Sequence, residues 1–201
     1  MGGKERPILM TAESVKAILD GRKTMTRRVV KPQPGDKVWE YQFPSGSWGW
    51  MSNRSHQYGM NTAHIFPYGQ IGDRLWVRES FFLGGINPNE WVWCKADTRE
   101  SDLDKFIWKP SIFMPRWASR LTLEITEVRV ERLQEISLED IKKEGAYFDS
   151  EFAGANAIMN AFTPKLNFIN LWDSINGKKY PWSSNPWVWV VRFDNIGVRV
   201  K

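Results

Sequence analysis

The sequence predicts an α+β fold: a small mixed β-barrel with short flanking helices and a loop-rich insertion. Three observations predict it. Residues 121–133 alternate, with Leu121, Leu123 and Ile125 against Thr122, Glu124 and Thr126, as a long half-buried antiparallel strand does. Short amphipathic segments carry helix-capping residues. The last apolar run, Trp187-Val188-Trp189-Val190-Val191-Arg192-Phe193, must close non-locally on strands far away in sequence. The 201 residues show no internal repeat and no interdomain linker, so they read as a single domain over 1–201.

The elements follow in order. Arg6 to Met10 is a short extended segment. Thr11 can cap a helix with Glu13 in its first turn, Val15, Ile18 and Leu19 on one face, and Gly21 at the C′ position. Thr24 to Val30 reads as a strand, halted by Lys31-Pro32-Gln33-Pro34. Residues 40–70 are an insertion rich in Ser, Gly, Asn and aromatics, including Trp48, Trp50 and Phe66, with room for a hairpin. Arg74 to Phe82 is a strand with Leu75, Val77 and Glu79 on one face, and Glu90 to Ala96 is another. Gly84-Gly85 and Asn87-Pro88-Asn89 turn between them. Residues 110–118 form a proline-punctuated connector. Ser137 caps a helix that ends at Glu144-Gly145, with Asp140 at the reciprocal capping position. After a variable segment, 146–162, Thr163-Pro164 reads as the start of a helix stopped by Asn176-Gly177. The final strand runs from Pro186 to Ile196.

Composition narrows the chemistry. The formal net charge is +5, which is compatible with a nucleic-acid partner carried by folded patches, since there is no long basic tail. The single cysteine, Cys94, sits in an apolar run and reads as a buried, inert thiol, which fits a reducing cytoplasm. The N-terminal residues lack the apolar core of a signal peptide, and no apolar run approaches a membrane span. Twelve tryptophans are an excess. Most are expected to pack cores and loops, and those beside a basic pocket are candidates for stacking on bases.

No metal or cofactor is expected. His56 and His64 are the only histidines, both in the insertion, with no HExxH and no cysteine pair. There is no GxSxG elbow, P-loop or dinucleotide fingerprint. What remains is Gly21-Arg22-Lys23-Thr24-Met25-Thr26-Arg27-Arg28, where cations and hydroxyls emerge between a helix and a strand. The plain alternative for this run is a basic turn on a solvated face. Lys23 is a candidate base if neighbouring cations or burial lower its affinity for a proton, and a threonine hydroxyl is a candidate nucleophile.

The run Ile18-Leu19-Asp20-Gly21-Arg22-Lys23-Thr24-Met25-Thr26-Arg27-Arg28 resembles the signature of the ASCH domain family, within the PUA-like superfamily. Later landmarks keep the same order: Gly72-Asp73-Arg74-Leu75-Trp76-Val77-Arg78-Glu79, Ser119-Arg120, Glu144-Gly145 and the terminal Trp187-Val188-Trp189-Val190. The layout is similar to a longer, phage- and prophage-associated branch, and covers the chain apart from about 40–70 and 146–162.

The resemblance implies a PUA-like β-barrel with a cleft that takes RNA or a modified nucleoside. Some small family members are amidohydrolases that remove an acyl group from a modified cytidine; ribonuclease activity is a lesser alternative. By that resemblance Lys23, Thr26 and Glu144 fall on the base, nucleophile and proton-shuttle positions. Arg22, Thr24, Arg27 and Arg28 are expected to contact ligand, with Trp76 or Trp48 stacking a base. Binding of RNA or a nucleoside is the leading expectation and amidohydrolysis the second. A protein-interaction module with a vestigial cleft is the third.

Overall fold

The computed structural model describes residues 3–34, 38–42, 48–53, 61–64, 66–85, 91–146 and 157–198. His56, the Asn87-Pro88-Asn89 turn and most of the variable segment lie outside the described residues, as do the side chains of Trp48, His64 and Thr163. The described chain is mixed α+β, with most of its ordered elements in sheets. Its packing divides into two compact units. One comprises Met1–Thr24, Tyr68–Thr126 and Phe193–Lys201, the other Met25–Pro67 and Glu127–Arg192.

In the first unit, β1 (Glu5–Leu9) pairs in parallel with β6 (Arg74–Arg78), and β6 pairs antiparallel with the start of β9 (Leu121–Arg132). Between β1 and β6 in sequence come α1 (Ala12–Leu19), β2 (Met25–Val29), β3 (Val38–Gln42), β4 (Trp48–Asn53) and β5 (Asn61–His64). Thr11 caps α1, accepting from Ser14 N at 3.2 Å, and Val15, Ala17 and Ile18 are buried. The expected strand from Arg74 to Phe82 is broken in two. β6 ends at Arg78, and β7 (Phe81–Gly84) starts a separate hairpin with β8 (Trp91–Cys94). The break has a cause. Glu79 is 1% exposed and is bound by Arg120, while Phe81 exchanges backbone bonds with Lys109 instead of extending β6. Phe81, Cys94, Met114 and Ala118 form a small core beneath this hairpin. Cys94 is buried as expected, and burial, reinforced by Glu79, pushes its thiol pKa up to about 12.

In the second unit, β2 pairs antiparallel with β10 (Trp187–Val198), with Thr26 opposite Val191, Arg27 opposite Val190 and Arg28 opposite Trp189. The insertion holds a three-stranded antiparallel sheet, β3-β4-β5, where the sequence suggests room for a hairpin. α2 (Leu138–Lys143) is capped by Ser137, which accepts from Asp140 N at 3.1 Å. The reciprocal bond expected of Asp140 is replaced, because its carboxylate is drawn to two guanidinium groups. α3 (Ala157–Asn176) starts before Thr163, so Pro164 lies inside it. The helix-favouring run Ala157–Phe162 extends the element upstream, and the proline costs it one backbone bond without ending it. Met25, Leu133, Ile141, Phe168, Trp172, Val188 and Val190 are the main members of this unit's core. Each large apolar side chain buried there contributes about 1.5–3 kcal/mol.

The strand order of the largest sheet is β1-β6-β9-β10-β2. This order is open, with β1 and β2 at its ends, and no closed barrel forms among the described strands. No helix among the described residues is long and apolar enough to cross a membrane.

Candidate functional site

The basic run begins where α1 stops. Gly21 adopts φ +71°, the left-handed conformation that a C′ position favours and that a side chain resists. The Ala17 carbonyl then accepts from both Arg22 N, at 2.8 Å, and Lys23 N, at 2.9 Å, which closes the helix end. Arg22 turns outward and pairs with Asp20 at 2.7 Å on the surface. Lys23 turns inward and is 4% exposed. Thr24 is half-buried, and its carbonyl accepts from Phe193 N at 3.0 Å.

β2 follows and sorts the next side chains onto two faces, because successive residues of a strand point oppositely. Met25, Arg27 and Val29 share one face; Thr26 and Arg28 share the other. Met25 and Val29 belong to the apolar cluster with Val188 and Val190, so Arg27 projects from a core position. A buried guanidinium needs compensation, and it has an abundance of it.

Arg27 is 3% exposed, and three carboxylates surround it. Its Nε donates to Glu131 at 2.9 Å and its Nη2 to Glu131 at 2.5 Å and Asp140 at 2.8 Å. Its Nη1 donates to Glu144 at 3.2 Å. A second cation knits the same carboxylates together. Arg129 donates to Glu127 at 2.5 Å, to the other oxygen of Glu131 at 3.2 Å, and to Asp140 Oδ2 at 2.6 Å. Burial alone would raise the Asp140 pKa, but the hydrogen bonds and charge of Arg27 and Arg129 outweigh it and hold the carboxyl below its ordinary value. Burial works to lower the Arg129 pKa, and its bonds to Glu127, Glu131 and Asp140 reverse that, leaving it raised.

The other face of β2 is different. Thr26 is 2% exposed, and its Oγ1 accepts from Arg28 Nη1 at 3.0 Å. Across the strand pair, Arg28 sits beside Trp189 and Thr26 beside Val191. Trp189 is 3% exposed because the insertion's aromatics pack on it: Trp50 at 4.9 Å, edge to face, and Phe66 at 5.5 Å. The insertion therefore places an aromatic group on the strand face that carries Thr26 and Arg28.

The structure thus joins Arg27 with Glu144 on one face of β2, and Thr26 with Arg28 on the other. Arg22 stands apart on the surface. Trp76 belongs to the first unit, where its ring lies under Arg78 at 5.3 Å and Arg116 at 5.8 Å. Sequence reasoning missed Arg129, Glu131 and Asp140. The alternation Glu127-Val128-Arg129-Val130-Glu131 carried a usable signal, since charges at every second strand position mark a polar face. Among the described residues no group of three or more His, Cys, Asp or Glu is arranged to hold a metal ion. The carboxylates of this cluster close on guanidinium groups instead. No family model, curated protein or solved structure matches this chain.

Proposed function

We propose that the chain binds RNA or a modified nucleoside through the Lys23–Arg28 segment, in the manner of an ASCH-type, PUA-like domain. The observation that carries this reading is the pairing of Thr26 with Arg28 on a strand face that also bears Trp50, Phe66 and Trp189. A cation, a hydroxyl and π faces together are what a nucleoside phosphate requires. In this reading Arg28, Arg22, Lys23 and Thr24 contact phosphate, sugar or base. Arg27, engaged by carboxylates, positions Glu144 and makes no ligand contact itself. The stacking group is Trp50, with Trp76 a separate arginine-flanked surface.

The test is RNA affinity across a salt series. Lys23→Ala and Arg28→Ala should each weaken binding and flatten its salt dependence by about one counterion. Binding that is indifferent to salt and to both variants excludes this reading.

One observation favours a catalytic version. Because Thr26 Oγ1 accepts from Arg28, its own proton remains available to a base, and the adjacent cation stabilises the developing alkoxide. In an amidohydrolase Lys23 would take that proton as the Thr26 oxygen attacks the acyl carbonyl. Lys23 would then pass the proton to the leaving exocyclic amine, and water would release the acyl group from Thr26. Turnover of acylated cytidine nucleosides, lost in Thr26→Ala and Lys23→Ala, is the expected result. Full activity in Thr26→Ala would remove the nucleophile.

A further inference from the structure

A pocket of about 560 Å³ opens in the first unit, lined from β8 through the 3-10 turns Lys95–Asp97 and Glu100–Lys105 to Phe106. That volume suits a small organic ligand. Part of its lining is aromatic. Trp93 is 45% exposed, and its ring lies 5.3 Å from that of Phe106. Phe106 is in turn braced by Phe82 at 5.3 Å and Trp108 at 5.4 Å. Such a wall offers a π face already held in place.

The polar lining is not self-cancelling. Asp102 and Lys105 pair with each other at 2.6 Å. Asp97 is different: its Oδ2 accepts from Arg120 Nη1 at 2.5 Å, and Arg120 grips the buried Glu79 with two bonds of 2.9 and 3.2 Å. A buried ion pair is costly to form. Here it anchors one pocket carboxylate, and Asp97 Oδ1 has no partner among the described residues. Arg99 also lines the pocket, and its guanidinium has no carboxylate partner among the described residues.

We propose that this pocket binds a nucleoside monophosphate whose base carries an amino group. The base stacks on Trp93, the exocyclic amine donates to Asp97 Oδ1, and the phosphate meets Arg99. The pocket is distinct from the Thr26–Arg28 face, and the proposal does not depend on the reading given to that face.

Calorimetric titration of the full chain with adenosine, guanosine, cytidine and uridine monophosphates tests it. The three amino-bearing nucleotides should bind, with the uridine nucleotide about tenfold weaker, because uracil has no exocyclic amine and its single N3–H is flanked by two carbonyls that the carboxylate repels. Trp93→Ala should weaken binding at least about tenfold. Asp97→Asn, a near-isosteric change at an exposed side chain, should erase the preference for amino bases. Arg99→Ala should make each nucleotide bind no better than its nucleoside. Binding retained in Thr26→Ala supports a separate pocket. Absence of heat with all four nucleotides at millimolar concentration overturns the proposal. So does binding that survives Trp93→Ala and Asp97→Asn unchanged, or that disappears only in Thr26→Ala.

Discussion

Replacing Arg27 by Met keeps the aliphatic stem in the core and removes only the guanidinium. Four hydrogen bonds to three carboxylates vanish with it. Glu131 and Asp140 keep Arg129 as a partner at 3.2 and 2.6 Å, so their loss is partial. Glu144, 5% exposed, loses its bond to the guanidinium as well. Breaking a buried pair by removing one partner costs about 3–5 kcal/mol. That is a large share of the roughly 5–15 kcal/mol by which folded domains are stable. Urea unfolding, followed by tryptophan fluorescence and far-ultraviolet dichroism in parallel, reads the change as a lowered midpoint at unchanged slope. The penalty is assigned to buried carboxylates that lose a shared cation, so Glu144→Gln in the Arg27→Met background should recover part of it. A coupling of at least about 1.5 kcal/mol in the double-mutant cycle is expected. If Arg27→Met costs under about 1 kcal/mol, or the two changes simply add, Arg27 is not the centre of the cluster.

Three further outcomes follow from the same geometry. Asp140 has its pKa depressed in the folded state, so its contribution is fully present above the ordinary aspartate value of about 3.9 and is lost as pH falls through the lower folded value; wild type should lose more stability below about pH 4 than Asp140→Asn does, and equal acid sensitivity would count against the cluster. Cys94, with its pKa pushed up to about 12 by burial, should resist alkylation at pH 8 in the folded chain, where its thiolate is scarce, and react readily in denaturant; rapid labelling of the native chain would contradict its burial. Thr11→Ala should destabilise the start of α1 by about 1 kcal/mol, visible as faster amide exchange at Ser14, whose N–H Thr11 holds at 3.2 Å.

Local rules read well wherever neighbours in sequence set the structure. β9 was legible from the alternation of Leu121, Leu123 and Ile125, and α1 and α2 from the caps Thr11 and Ser137. Pro164 misled because the same residue suits both a first helical turn and a tolerated interior position, and the run before it favoured helix. The break at Glu79 was invisible because its partner, Arg120, lies 41 residues away. The same limit governed the site. Arg27 read as one of several cations in a basic run, while the carboxylates that claim it are 104, 113 and 117 residues distant. Strand period alone would have separated Arg27 from Thr26 and Arg28, once β2 was granted.

The division of β9 and β10 between the two units sets an order of events for a chain leaving the ribosome. The second unit has all its residues once Arg192 has emerged. The first unit has residues on both sides of the second and needs the segment from Phe193 onward. The usual vectorial order, in which N-terminal structure forms first, is therefore inverted here. β1, α1 and β6 must wait through the synthesis of Glu127–Arg192 for the residues that finish their own unit. A stop codon placed directly after Arg192 would spare the unit built around Arg27 and damage the one that holds β1 and β6.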